Sequence, residues 1–157
     1  MFKKIIISIT VLASIYLTGC ASVPMAPADT DKAKKEFTPP TEGNSGLYIY
    51  RNSSFGGALK KTISVDGEII GESAPNTYFY KELTPGKHEL STESEFSDNK
   101  LSIDAQSGIN YFVQQYIKFG AFVGGAGLKL VTEEEGKKGV LECKLAQESP
   151  KVSKATQ

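Results

Sequence analysis

From Gly46 onward the apolar residues fall at alternate positions in short runs separated by turn residues, the pattern of strands that bury one face. In Leu47-Tyr48-Ile49-Tyr50 the aliphatic side chains share one face of a strand. Residues 62–65 put Ile63 and Val65 together, and residues 68–71 return with Ile69 and Ile70. Between them Asp66-Gly67 signals a type I′ hairpin turn, because aspartate tolerates positive φ and glycine adopts it without penalty. Strands follow at 77–83, at 88–94 and around Leu101 and Ile103; Thr84-Pro85-Gly86-Lys87 joins the first two with the residues of a type II turn. Residues 109–119 form the longest run and predict a central strand, and 128–131 the last. Seven or eight short strands with a turn every ~8–12 residues predict an all-β fold, an antiparallel β-sandwich of immunoglobulin/prealbumin-like kind.

One C-terminal helix follows the strands. Thr132-Glu133-Glu134-Glu135 is a capping box, and Glu133–Lys137 and Glu134–Lys138 are four apart in the favourable order. Gly136 and Gly139 weaken such a helix by up to ~1 kcal/mol each, so packing through Val140 and Cys143 must hold it. Cys143 is accordingly expected to be buried.

The two ends lack this periodicity. Residues 20–45 carry Pro24, Pro27, Pro39 and Pro40, four of the seven prolines, and predict a flexible tether with a reach of about 25–30 Å. A helical turn or two is possible between Asp31 and Phe37 before Pro39-Pro40 stops it. Residues 148–157 predict a disordered tail, which leaves 46–147 for the β domain. At the start, Lys3 and Lys4 precede a mostly apolar run over 5–17. That run is shorter than the ~20 residues of a spanning helix and has the layout of a secretory signal covering residues 1–19.

The end of this run, Leu17-Thr18-Gly19-Cys20, resembles a bacterial lipobox. The resemblance implies cleavage before Cys20 and a diacylglyceryl group on its thiol, with the membrane as a partner through that lipid. Ala21, rather than Asp, after the cysteine implies the outer membrane, with the domain facing the periplasm.

Charge and cysteine content narrow the function further. The chain has 18 basic and 18 acidic residues; without Lys3 and Lys4 the mature chain has 16 against 18, a balance of −2. Nothing in that balance invites nucleic acid, which requires a basic face. With Cys20 lipidated, Cys143 is the only thiol left and no internal disulfide can form.

Val65-Asp66-Gly67-Glu68-Ile69-Ile70-Gly71 and Leu83-Thr84-Pro85-Gly86-Lys87-His88-Glu89-Leu90 resemble the hairpin-and-turn signature of PEGA-type surface β-modules. The run from 46 to 146 is similar to a bacterial lipoprotein domain family known only as a domain of unknown function. Its ending, a glycine-rich turn, a Glu-rich helix start and a late cysteine, matches Gly124 to Cys143. The resemblance implies a fold and an envelope location, and brings no catalytic residue or cofactor with it.

Candidate chemistry is sparse. His88 is the single histidine, so Cys143 and His88 are the one nucleophile-and-base pair an enzyme could use. One histidine and one unlipidated cysteine give no metal-site spacing. The stretch 120–127 lacks the lysine and hydroxyl of a P-loop and reads as a long hairpin loop. Phe119, Phe122 and Val123 then form an exposed apolar tip, the candidate contact with a partner or lipid. The strand tyrosines read as cross-strand pairs before they read as a glycan- or protein-binding face. The expectation is a non-enzymatic, lipid-anchored envelope module that binds a protein or glycan or serves structurally; the alternative is an enzyme built on Cys143 and His88.

Overall fold

The strand carrying Leu47-Tyr48-Ile49-Tyr50 sets the layering of the molecule, because it is buried on both faces. In the computed structural model, which describes residues 21–94, 97–120 and 124–149, all seven residues of this strand, β1 (Ser45–Arg51), are buried. It is the middle strand of a five-stranded sheet. Its neighbours are β4 (Thr77–Leu83), β7 (Asn110–Lys118), β8 (Gly125–Val131) and the short β9 (Lys144–Leu145), in the order β8-β7-β1-β4-β9. The second sheet is formed by β2 (Lys61–Val65), β3 (Glu68–Ser73), β5 (Gly86–Thr92) and β6 (Asn99–Ala105), in the order β3-β2-β5-β6. Two short helices, α1 (Ala28–Lys34) and α2 (Glu133–Leu141), complete the described elements. The fold is mostly β, with nine described strands in two open sheets, and is sandwich-like.

One apolar core joins the sheets. Leu47 and Ile49 of β1, Phe79 of β4 and Val113 of β7 cluster with Ile63 and Val65 of β2, Ile70 of β3 and Leu90 of β5. A polar link crosses the same gap. Buried Gln115 of β7 donates from Nε2 to Thr92 Oγ1 at 2.7 Å and accepts on Oε1 from Ser73 Oγ, so no member of this set is left unsatisfied.

The Asp66-Gly67 hairpin turn forms as its residues predict, whereas the chain bends at Pro85 and enters β5 at Gly86 instead of closing the expected type II turn. Asp66 and Gly67 take φ of 52° and 79°, and Gly86 takes 127°. His88 bolts the turn and the bend together: its Nδ1 lies 2.6 Å from Asp66 Oδ2 and its Nε2 lies 2.7 Å from the Thr84 carbonyl. Both partners are acceptors, so only the imidazolium can donate to both. Burial opposes the charge on His88, but the Asp66 and Thr84 hydrogen bonds win and raise its pKa. Burial likewise works against the Asp66 carboxylate, yet the hydrogen bonds from His88 and the Glu89 amide hold its pKa below the ordinary value.

Several expectations need correction. The sheets are not wholly antiparallel: β1 pairs with β7, and β4 with β9, in parallel. Neither pair is joined by a hairpin; the chain passes through other strands before returning, so no tight turn dictates direction. The last long strand begins at Gly125 rather than residue 128. Gly127 belongs there because a Cβ at this position would lie 2.6 Å from the Tyr116 ring. The C-terminal helix is joined by α1, whose residues 28–34 begin three positions before the Asp31–Phe37 stretch expected to make a helical turn or two.

Residues 21–45 are not a free tether. The outer face of the five-stranded sheet presents Tyr48, Tyr50, Tyr78 and Phe112, all buried, and α2 covers only part of it. The N-terminal segment covers the rest. Phe37 packs its ring 5.5 Å from Tyr48 and 5.9 Å from Phe112, and the Tyr48 hydroxyl donates to the Lys34 carbonyl. Asp31 Oδ1 accepts from the Leu145 amide, and Met25 bridges to Ala146. The start of the expected tail is held too, with the Gln147 amide on the Pro24 carbonyl and the Ser149 amide on the Ile70 carbonyl. The remainder, 150–157, lies outside the described residues, as does the stretch 1–19 expected to be a signal.

Helix α2 shows why its glycines are there. Thr132 Oγ1 accepts from the Glu135 amide, which is half of the expected box. The Glu135 carboxylate meets Lys129, while Glu133 and Lys137 pair as expected. A Cβ on Gly136 would lie 2.2 Å from Phe112 Cβ, and one on Gly139 would lie 2.1 Å from the Tyr50 ring. The two glycines let the helix lie directly on aromatic rings.

Gly139→Ala tests that contact. Intrinsic propensity favours alanine by ~1 kcal/mol, whereas overpacking costs about 1–3 kcal/mol, so a net loss of stability is expected in urea unfolding; a gain would show that the helix does not press on Tyr50. The His88–Asp66 pair gives a pH signature. The raised His88 pKa contributes stability that is complete below ~6.5 and lost as pH rises through its folded value. The lowered Asp66 pKa contributes stability present above ~4 and lost as pH falls through its folded value. His88→Ala should therefore lower the melting temperature more at about pH 5.5 than at about pH 9, and equal losses at both would contradict the linkage.

Candidate functional site

The site is built from the end of β1. Arg51 is fully buried there. Its guanidinium donates from Nη1 to the Leu59 carbonyl at 2.7 Å, and from Nη2 to the Phe55 and Gly56 carbonyls at 3.1 and 2.9 Å. Nε finds no partner among the described residues. Burial lowers the Arg51 pKa, but a guanidinium keeps its charge, so a buried cation here is solvated by one loop's main chain. The loop runs between β1 and β2. Ser53 Oγ accepts from the Phe55 amide, the Leu59 amide donates to the Gly56 carbonyl, and Gly56 sits at φ 68°. A side chain at Gly56 would crowd Ile117 and Leu59.

This loop presents Phe55, which is 46% exposed, edge-on to Phe119, which is 90% exposed, with ring centroids 4.8 Å apart. Phe119 directly follows β7. Of the expected apolar tip, Phe119 is described and exposed, and its described ring partner is Phe55, which the sequence pattern did not single out. The other two expected members, Phe122 and Val123, lie outside the described residues. The same loop receives the start of the described chain: the Ala21 amide donates to the Gly57 carbonyl at 3.0 Å. Cys20, the expected lipid site, lies outside the described residues, one peptide bond before Ala21.

Cys143 and His88 are not brought together. Cys143 packs under the outer face of the five-stranded sheet among Tyr48, Tyr50 and Val140, and its thiol donates to the Arg51 carbonyl. Burial pushes its pKa up to about 12. His88 lies on β5 of the other sheet, with both ring nitrogens engaged. The tyrosines resolve into register pairs, Tyr48 with Tyr80 and Tyr50 with Tyr78. Burial raises the Tyr48 and Tyr50 phenols to about 12, and that face is covered rather than open to a ligand. Among the described residues no helix is long and apolar enough to cross a membrane.

Comparison with known proteins agrees with the reach of this fold. The model of a family described as "Protein of unknown function (DUF2846)" matches residues 41–126, from just before β1 to the first residues of β8. An uncharacterized protein of Haemophilus influenzae strain Rd is 53% identical over 133 residues, covering 85% of this chain and 79% of that protein. No solved structure matches. With more than half of its length matched by the family model, the chain belongs to the DUF2846 family of proteins of unknown function.

Proposed function

We propose that the chain is a lipid-anchored, non-enzymatic module of the bacterial cell envelope, held at the periplasmic side of the outer membrane through Cys20. The observation that carries the reading is the junction at Ala21. The Leu17-Thr18-Gly19-Cys20 sequence would have a peptidase cut before Cys20, and the next residue is already hydrogen-bonded into the domain. Cleavage there would remove the signal without cutting into the folded body. Ala21 in place of aspartate supports the outer membrane, and two or more acyl chains suffice for stable anchoring.

The body suits a rigid module. Its two-layered β core is compatible with an immunoglobulin/prealbumin-like sandwich, and the Asp66-Gly67 turn and Pro85-Gly86 bend, bolted together by His88, support the PEGA-like reading of those motifs. The high pKa and burial of Cys143 and the engaged nitrogens of His88 favour a structural or binding role over thiol catalysis. A protein or glycan of the envelope is the partner class that this reading leaves for the free surface.

Cys20→Ala tests the anchor. The variant should accumulate as unlipidated precursor in the inner membrane and take up no radiolabelled palmitate; normal maturation and outer-membrane fractionation would sink the lipoprotein reading. A thiol reagent tests the non-enzymatic reading. In folded protein at neutral pH, Cys143 should react far more slowly than in protein unfolded by urea, whereas rapid modification of the native state would return weight to a Cys143-based enzyme.

A further inference from the structure

The anchor and the aromatic tip are neighbours. Ala21 is hydrogen-bonded to Gly57, and Gly57 is two residues from Phe55, whose ring meets Phe119. Adjacent Cα atoms are separated by ~3.8 Å across a trans peptide, so Cys20 cannot be far from that loop whatever its own conformation. The loop that carries Phe55 is also held in place. Three hydrogen bonds from Arg51 hold the loop, and Leu59 and Ile117 fill the space beside Gly56. Two phenylalanine rings, one of them almost wholly in water, are thus presented at the point where the lipid would emerge.

We propose that Phe55 and Phe119 seat in the interface of the same bilayer that holds the Cys20 lipid, so that the domain is docked on the membrane by this tip. The proposal rests on the lipid-anchor reading and adds to it an orientation and an occupant for the tip. The lipid surface is favoured over a protein because covalent geometry delivers it. Once acyl chains hold Cys20, the bilayer lies beside the tip at very high effective concentration, and weak aromatic contacts suffice to choose one orientation. Aromatic rings partition to the headgroup level. Lys118 directly precedes Phe119 and donates to the neutral Asn99, whereas Lys60 is paired with Glu72; positive charge beside the rings suits anionic headgroups.

The chain contains no tryptophan, so a single Phe119→Trp substitution introduces a unique fluorophore at an exposed position. The full lipidated variant would be reconstituted into phosphatidylethanolamine–phosphatidylglycerol vesicles in which some acyl chains are brominated. The control is Ile109→Trp. Ile109 is 48% exposed and lies at the opposite end of β7. With both variants floating with the vesicles, indole emission at 119 should be blue-shifted and quenched by the brominated chains, and emission at 109 should be neither. Flotation with both indoles unquenched would overturn docking while leaving the anchor intact. Failure to float, with no acyl group on Cys20 by mass spectrometry, would overturn the anchor reading and docking together. An indole at 119 unquenched in pure lipid, together with photocrosslinking from position 119 to a protein in whole envelopes, would assign the tip to a protein and overturn the proposal.

Discussion

The buried charge of Arg51 is the constraint that gives this molecule a defined end. A guanidinium at the close of a central strand has lost its water, and the chain replaces that water with three main-chain carbonyls from the loop that follows. The loop therefore cannot open without stranding a cation in the interior, a change that costs about 3–5 kcal/mol when a buried charge loses its partners. A stretch rich in Asn, Ser and Gly, which by composition should be soft, is thereby tied to the central strand. The Arg51 carbonyl also accepts from the Cys143 thiol, so one residue links the loop, the central strand and the segment after α2.

The second organising fact is that the five-stranded sheet must bury both faces. Its inner face meets the other sheet, and its outer face is aromatic, with Tyr48, Tyr50, Tyr78 and Phe112 packed together. A nine-residue helix cannot cover that area. The fold brings α2 very close through Gly136 and Gly139 and finishes the cover with the N-terminal segment through Phe37 and α1. Residues that look like helix weakeners and linker in isolation are thus parts of a third layer. Burial of the rings, which contributes ~25 cal/mol per Å² of apolar surface removed from water, offsets the cost of ordering those segments.

Much of this was legible in the sequence, and the exceptions have physical reasons. Alternation revealed nearly every strand, because one face of each is aliphatic and its turns use residues with a conformational role, such as Asp66-Gly67 and Pro85-Gly86. The helix start was legible through Thr132 and the acids behind it. The covering role of residues 21–37 was not. Phe37 is a single aromatic among prolines and charges, and only the three-dimensional neighbours Tyr48 and Phe112 give it meaning. Parallel pairing of β1 with β7 was also hidden, since no turn connects them. Phe119 stood out as the end of a long apolar strand, whereas Phe55 read as one residue of a loop until Arg51 was seen to clamp that loop.

The joining of the chain's two ends has a consequence in time. Leu145 donates to Asp31 across 114 positions, and Gln147 reaches back to Pro24, so the earliest described residues are covered and bonded by nearly the last. Contacts this distant close late, because the loop entropy between them must be overcome before they contribute. While the chain is emerging from a ribosome, the part of the aromatic face that α2 covers has no lid until that helix has been made. The last cover of that face therefore waits for residues that follow β8.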